Sequence, residues 1–188
     1  MGGIVALGVL AVALVYVITV YNNLVSIKNN VAKAWANIDV LLKQRHDELP
    51  KLIDTCKQYM KYEQETLEKV VNARARVASA RETQNVAALG AAEAALRSGL
   101  GSLFALVEAY PELKANEQFL HLQGRITGLE DAIADRREFY NESVNINNVR
   151  IEQFPDLFVA RLFNFKAFDL LRFEAAELED VDVAKRFA

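Results

Sequence analysis

The chain has 188 residues, a one-domain length, with 52% hydrophobic residues, 25% charged residues and a formal net charge of −3. That balance excludes nucleic acid as the main partner, because phosphate binding needs a basic excess. Eight Gly and three Pro are too few for the turns of a sheet protein, and the single Cys56 excludes an internal disulfide. A few long helices remain.

The first element is an apolar block from Ile4 to Val20, in which the only polar side-chain groups are the hydroxyls of Tyr16 and Thr19. As a helix it is about 25 Å long, near the lower limit for crossing hydrocarbon. Ile4, Leu7, Leu10, Leu14, Val17 and Val20 form this expected anchor, and Tyr16 and Tyr21 stand at interfacial depth. No Lys or Arg precedes the block and no small-x-small site precedes Tyr21, so residues 1–21 read as a retained anchor and not a signal peptide. Ala6 stands where a myristoylation motif wants Ser or Thr. Lys28, Lys33, Lys43 and Arg45 follow the block against Asp39 alone. The positive-inside rule then predicts a single-pass protein of the bacterial inner membrane with its C-terminal domain in the cytoplasm. Membrane lipid is the first expected partner.

Residues 22–173 read as the helical domain. Leu24, Val31, Ile38, Leu52 and Tyr59 share one seven-residue row, and Trp35, Leu42, Leu49, Cys56 and Val70 share the row beside it. Both rows keep phase across Pro50, which predicts one helix from the membrane to about Ala80, bent at Pro50. The alternative splits it, with Asp47 as N-cap. A second, Ala-rich helix is expected from about Thr83 to Tyr110, with Ala87, Ala91, Ala94, Ala95 and Leu103 near one stripe. Gly99 and Gly101 weaken it by roughly 1 kcal/mol each relative to Ala, and Pro111 ends it. A third starts at an Asn116 N-cap and runs to about Glu152, burying Ile126, Leu129, Ile133, Tyr140, Val144 and Ile151. Phe154-Pro155 stops it. Asp156 is placed to cap a short fourth helix, Leu157 to Phe163. Six Phe fall between Phe154 and Phe173, a cluster that plugs a bundle end sooner than it cages a ligand. Residues 174–188 form a polar tail. The expected fold is all-α: an N-terminal transmembrane helix continuing into an elongated antiparallel helical bundle of three long helices plus a short C-terminal fourth.

Arg45 and Glu63 occupy row positions where Leu would be expected. A buried charge must be paired, so they predict a structural polar core with Glu63, Glu130 or Asp131 as partners for Arg45, and with Arg137 and Asn141 on the third helix. Such positions fix helix register. The run Arg45-His46-Asp47-Glu48 invites a metal reading, but there is no Glu-x-x-His pair, and His46 and His121 are the only histidines. No metal site, cofactor motif, phosphate loop or nucleophile elbow is expected, hence no enzyme. Cys56, on the apolar row, reads as an inert core thiol.

Several stretches resemble one family. They are Tyr21-Asn22-Asn23-Leu24-Val25, Val31 to Ala34-Trp35, Ile38-Asp39-Val40, Arg45-His46-Asp47 and Pro50. Tyr59, Glu63, Thr66-Leu67, Ala73-Arg74, the run Glu108 to Asn116, and Phe119-Leu120 continue the pattern. Phe139-Tyr140-Asn141, Phe154-Pro155, Phe163 and Phe165 close it. The chain is similar throughout to the LemA family. That resemblance implies a membrane-anchored helical bundle without established catalysis, one branch being associated with making magnetosome membranes. The chain departs at Asn164, where the family usually has Gly, and at Ala167, where Pro is common. The expected function is a self-associating scaffold that organises or shapes the membrane. Leu24, Ile27, Val31 and Trp35 would be the contacts of a homo-oligomer. The alternative is an adaptor or regulator of another membrane protein, such as an envelope protease or transporter.

Overall fold

The first helix, α1, runs unbroken from Gly2 to Tyr59, through Pro50. The computed structural model describes residues 1–172, of which 85% are helical, with no strand among them. After α1 come α2 (Gln64–Glu82), α3 (Val86–Val107), α4 (Pro111–Lys114), α5 (Glu117–Glu152) and α6 (Asp156–Leu162). Phe173 and the polar tail 174–188 lie outside the described residues. The chain divides into two units, Met1–Ile38 with Asp135–Leu170 and Asp39–Ala134 with Leu171–Ala188.

In the second unit, the expected single helix to Ala80 is corrected to a hairpin of α1 and α2. The break is at Met60–Glu63 and not at Pro50. Four intervening residues are close to one helical turn, so the apolar rows keep their apparent phase across a reversal of the chain. The turn also uses no glycine, which hid it. Tyr59 and Glu63 are held by side chains from far along the chain: Asn116 Nδ2 donates to the Tyr59 hydroxyl (3.1 Å) and the Tyr110 hydroxyl donates to Glu63 Oε1 (3.1 Å). The α2–α3 turn likewise places Gln84 at φ 51°, a left-handed role usually given to Gly. The two helices are antiparallel, with Arg74 beside His46 and Arg81 Nε 3.6 Å from Asp39 Oδ1.

The rows themselves are buried as expected. Ile38, Leu42, Leu49, Leu52, Cys56 and Val70 are all inaccessible to solvent. On α3 the expected alanine stripe is corrected. Leu89, Ala92, Leu96, Leu100 and Leu103 face inward, while Ala87, Ala91 and Ala95 are exposed. The larger side chains choose the face because they gain most from leaving water. Two glycines allow close approach. A Cβ on Gly99 would meet Val70 Cγ2 at 3.3 Å, and one on Gly90 would lie 2.0 Å from the Arg172 carbonyl oxygen. Asn85 caps α3 by accepting from Ala88 N, and Asn116 caps α5 by accepting from Phe119 N.

In the first unit, Leu24 and Val31 are buried against the chain's own residues, and Trp35 packs on Tyr140 at 5.6 Å between centroids. The expectation that these positions face neighbouring copies is therefore corrected: Leu24 and Val31 are already covered, and Ile27 and Trp35 are half-buried. The C-terminal half of α5 covers this region, as a helix of 36 residues is long enough to do. After α6 the chain turns at Asn164, φ 56°. Asn tolerates that left-handed geometry, so its replacement of Gly there keeps the turn. Residues 166–169 then run back along α5. Asn147 Nδ2 donates to the Lys166 carbonyl (3.1 Å), Asn148 exchanges two bonds with Phe168 (both 2.9 Å), and the Tyr140 hydroxyl donates to the Asp169 carbonyl (3.1 Å).

Pro50 has no N–H for the His46 carbonyl four residues earlier, which would leave that carbonyl without its helical donor. Arg74 supplies the donor instead. Its Nε donates to the His46 carbonyl at 3.0 Å, and its Nη2 lies 2.7 Å from His46 Nε2. The prediction is a coupling: Arg74→Ala costs about 1–3 kcal/mol in the Pro50 chain and less in a Pro50→Ala background, where residue 50 again has an N–H. Denaturant titration of the four chains in detergent measures it, and equal costs would exclude this compensation.

Candidate functional site

Two constellations carry the expected site residues. The first is the polar core of the second unit. Arg45 is 1% exposed, and its Nη2 and Nη1 are ion-paired with Glu93 Oε1 of α3 and Glu130 Oε1 of α5. Arg97 Nε approaches the other oxygen of Glu130 at 3.7 Å. A neighbouring pair joins Arg125 Nη2 to Glu48 Oε1 at 2.9 Å. Three helices thus meet through one guanidinium.

Glu130 is the expected partner. Glu63 is not: it accepts from Tyr110 at the α1–α2 turn instead. Glu93, 4% exposed, is the residue that sequence reading missed. It follows Ala92 on the buried face of α3, and a lone Glu on a stripe otherwise made of Leu, Ala and Gly was the available signal. Arg137 and Asn141 belong to the first unit, each half-buried on α5.

Burial opposes the charge on Arg45, but Glu93 and Glu130 outweigh it and its pKa rises. Burial pushes the Glu93 carboxyl up, against the pull of Arg45. His46 is pushed down, first by burial and then by Arg74. Cys56 is pushed up to about 12 by burial, which removes it as a nucleophile near neutral pH. Among the described residues, no three His, Cys, Asp or Glu gather into a set that could hold a metal. The arrangement can fix helix register, and its charges are engaged with one another.

The second constellation is the apolar N-terminal stretch of α1. It is the one helix among the described residues long and apolar enough to cross a membrane. Ile4, Leu7, Leu10 and Leu14 are each more than half exposed, and Val5, Val9, Val12 and Val15 expose the remaining faces. Val17 and Val20, the last two of the six expected anchor residues, are less exposed than the other four. Val20 is buried and Val17 half-buried, in a cluster with Leu24, Val159, Ala160, Ile151 and Phe165. Short helix α6 provides that cover. Asp156 does not cap it as expected; its N-cap position is Pro155. The Asp156 carboxylate turns inward, accepts from the Tyr16 hydroxyl (3.3 Å) and pairs with Arg150 Nε (2.5 Å).

Comparison with known proteins follows the same lines. The model of the LemA family matches residues 34–184. The chain belongs to the LemA family. Protein LemA of Metamycoplasma hominis is 28% identical over 166 residues, covering 86% of this chain and 72% of that protein. Magnetosome protein MamQ of Magnetospirillum gryphiswaldense and magnetosome protein MamQ 2 of Paramagnetospirillum magneticum are each 34% identical over 79 residues. Those matches cover 42% of this chain and 29% of each magnetosome protein, so this LemA family chain spans less than a third of the length of those relatives. An apolar N-terminal helix and these relatives together make it a membrane-associated helical protein.

Removing Arg45 would leave two carboxylates facing one another. Arg45→Met is expected to cost about 3–5 kcal/mol, and adding Glu93→Leu to recover a substantial part by removing the most buried stranded charge. Denaturant titration in detergent checks both. A double variant no more stable than Arg45→Met would show that Glu93 was not the stranded charge.

Proposed function

We propose that this LemA family protein is a membrane-anchored scaffold: its N-terminal helix sits in the bilayer, copies associate through it, and the helical units organise or shape the membrane without catalysis. The observation that carries this reading is the exposure of every face of α1 from Ile4 to Val15. A helix apolar all round, left uncovered by the described residues, belongs in lipid or among like helices. The condition of the titratable side chains supports the non-catalytic part. Arg45, Glu93 and Glu130 are consumed in pairing, and the Cys56 thiol is buried and protonated. Relatives named for magnetosomes, and not for a reaction, point the same way.

Because Leu24 and Val31 are covered within the chain, self-association is assigned to the anchor and not to the row that follows it. Light scattering of the full-length chain in mild detergent is expected to give a multiple of the 21.0 kDa protomer. A Leu10→Arg change is expected to reduce that mass. A monomer at micromolar concentration would end the scaffold reading and favour the adaptor of another membrane protein.

The basic residues Lys28, Lys33, Lys43 and Arg45 after the anchor support a cytoplasmic side for the helical units by the positive-inside rule. Tyr62, 95% exposed in the α1–α2 turn, is a suitable reporter. In a Cys56→Ala chain, Tyr62→Cys is expected to resist an impermeant maleimide in intact cells and react once the inner membrane is opened. Labelling of intact cells would reverse the orientation.

A further inference from the structure

Helix α6 packs its inner face against the end of the anchor, and among the described residues nothing covers its outer apolar face. Phe154, Phe158 and Leu162 follow at four-residue spacing and are 79%, 62% and 75% exposed. Phe154 and Phe158 stack edge to face at 5.9 Å, and Phe163 is half exposed just beyond. Their height relative to the anchor is fixed by contacts within the first unit. Asp156 is bonded to Tyr16, Val159 and Ala160 pack with Val20 and Leu24, and Phe163 lies against Tyr21 at 4.7 Å between ring centroids. The exposed face therefore lies level with Tyr16–Tyr21, where the apolar block ends and the helix leaves the hydrocarbon.

We infer that α6 is a second lipid contact: Phe154, Phe158 and Leu162 insert into the headgroup–acyl boundary of the same leaflet from which α1 emerges, forming a collar around the end of the anchor. This rests on the membrane-anchor reading and adds a separate site to it. Two observations select lipid as the occupant. The first is continuity: the α6 face adjoins an apolar helix that, from Ile4 to Val15, has no cover among the described residues. At about 25 Å the anchor is short for a hydrocarbon core of about 30 Å, and an apolar collar at its end relieves that mismatch. The second is the charge above it. A cavity of about 520 Å³ beside Tyr21, Phe163 and Phe165 also carries Lys28 and Lys166 on its rim, and α6 exposes Arg161. Aromatic rings at the boundary with lysines and arginine next to them form the pattern of an interfacial element facing phospholipid headgroups.

The test places a reporter on each element. In a Trp35→Phe chain, Phe158→Trp and, separately, Leu10→Trp are reconstituted in phosphatidylcholine–phosphatidylglycerol vesicles. The lipids are brominated either near the carbonyl end or near the chain midpoint. Leu162→Trp, one turn further on, reads the same face if Phe158→Trp does not fold. The expected result is roughly twofold quenching of the α6 reporter by shallow bromines and less by deep ones, as insertion to the acyl boundary requires. The anchor reporter is expected to be quenched in both vesicle types. An α6 reporter that is unquenched with red, water-like emission overturns the inference. So does one that is unquenched but blue-shifted, which would assign the face to a protein contact. In either case quenching of the anchor reporter leaves the anchor reading standing; absence of quenching at Leu10→Trp overturns that reading as well.

Discussion

Arg45 sits among leucines at 1% exposure, and a guanidinium cannot remain there without counter-charge. Glu93 and Glu130 supply it from two other helices, and that requirement sets the register of the second unit. If α3 slid by one residue, Glu93 would swing about 100° around its axis and leave the guanidinium. Apolar packing alone is more forgiving, because leucine rows offer several nearly equivalent interdigitations. The trio therefore selects one arrangement at some cost in stability, which is the best-attested use of buried ionic groups in helical bundles. The charges of the trio are engaged with one another.

A second constraint follows from the backbone. Every interruption of a helix leaves carbonyls and amides that need partners, and here side chains from elsewhere provide many of them. Arg74 replaces the donor that Pro50 lacks, Asn147 and Asn148 bind the chain that returns along α5, and Tyr110 and Asn116 hold the residues flanking the α1–α2 turn. The α1–α2 turn at Met60–Glu63 uses no glycine. The turn at Gln84 also lacks one and is closed locally, by bonds from Gln84 N to the Arg81 carbonyl and from Asn85 N to the Ala80 carbonyl.

At the membrane end the first unit joins the anchor to α6 through an apolar cluster and one polar knot, Tyr16–Asp156–Arg150. The buried Asp156 carboxylate lies against Arg150, and the same helix turns Phe158 and Leu162 outward. The N-terminal helix and α6 are thus coupled through both an apolar and a polar contact.

The all-α class, the apolar N-terminal helix, the buried rows of α1, the Asn116 cap and the burial of Arg45 were legible in the sequence. Each is a matter of periodicity or of one residue's chemistry, and helical spacing of large apolar side chains shows which face leaves water before any partner is known. The course of the chain was not legible where that signal is ambiguous. A four-residue break close to one helical turn keeps the rows in phase, so only the docked position of α2 against α1 shows the hairpin. Glu93 was missed because an isolated carboxylate on an alanine-rich helix reads as solvated until Arg45 stands beside it. Glu63 and Arg45 share a row pattern but end with different partners, a choice made by helix packing. Tertiary structure alone decided that Leu24 and Val31 are covered within their own chain, and that Asp156 faces Tyr16 and Arg150 instead of capping α6. Periodicity states that a side chain must be buried; it carries no information on which distant segment will bury it.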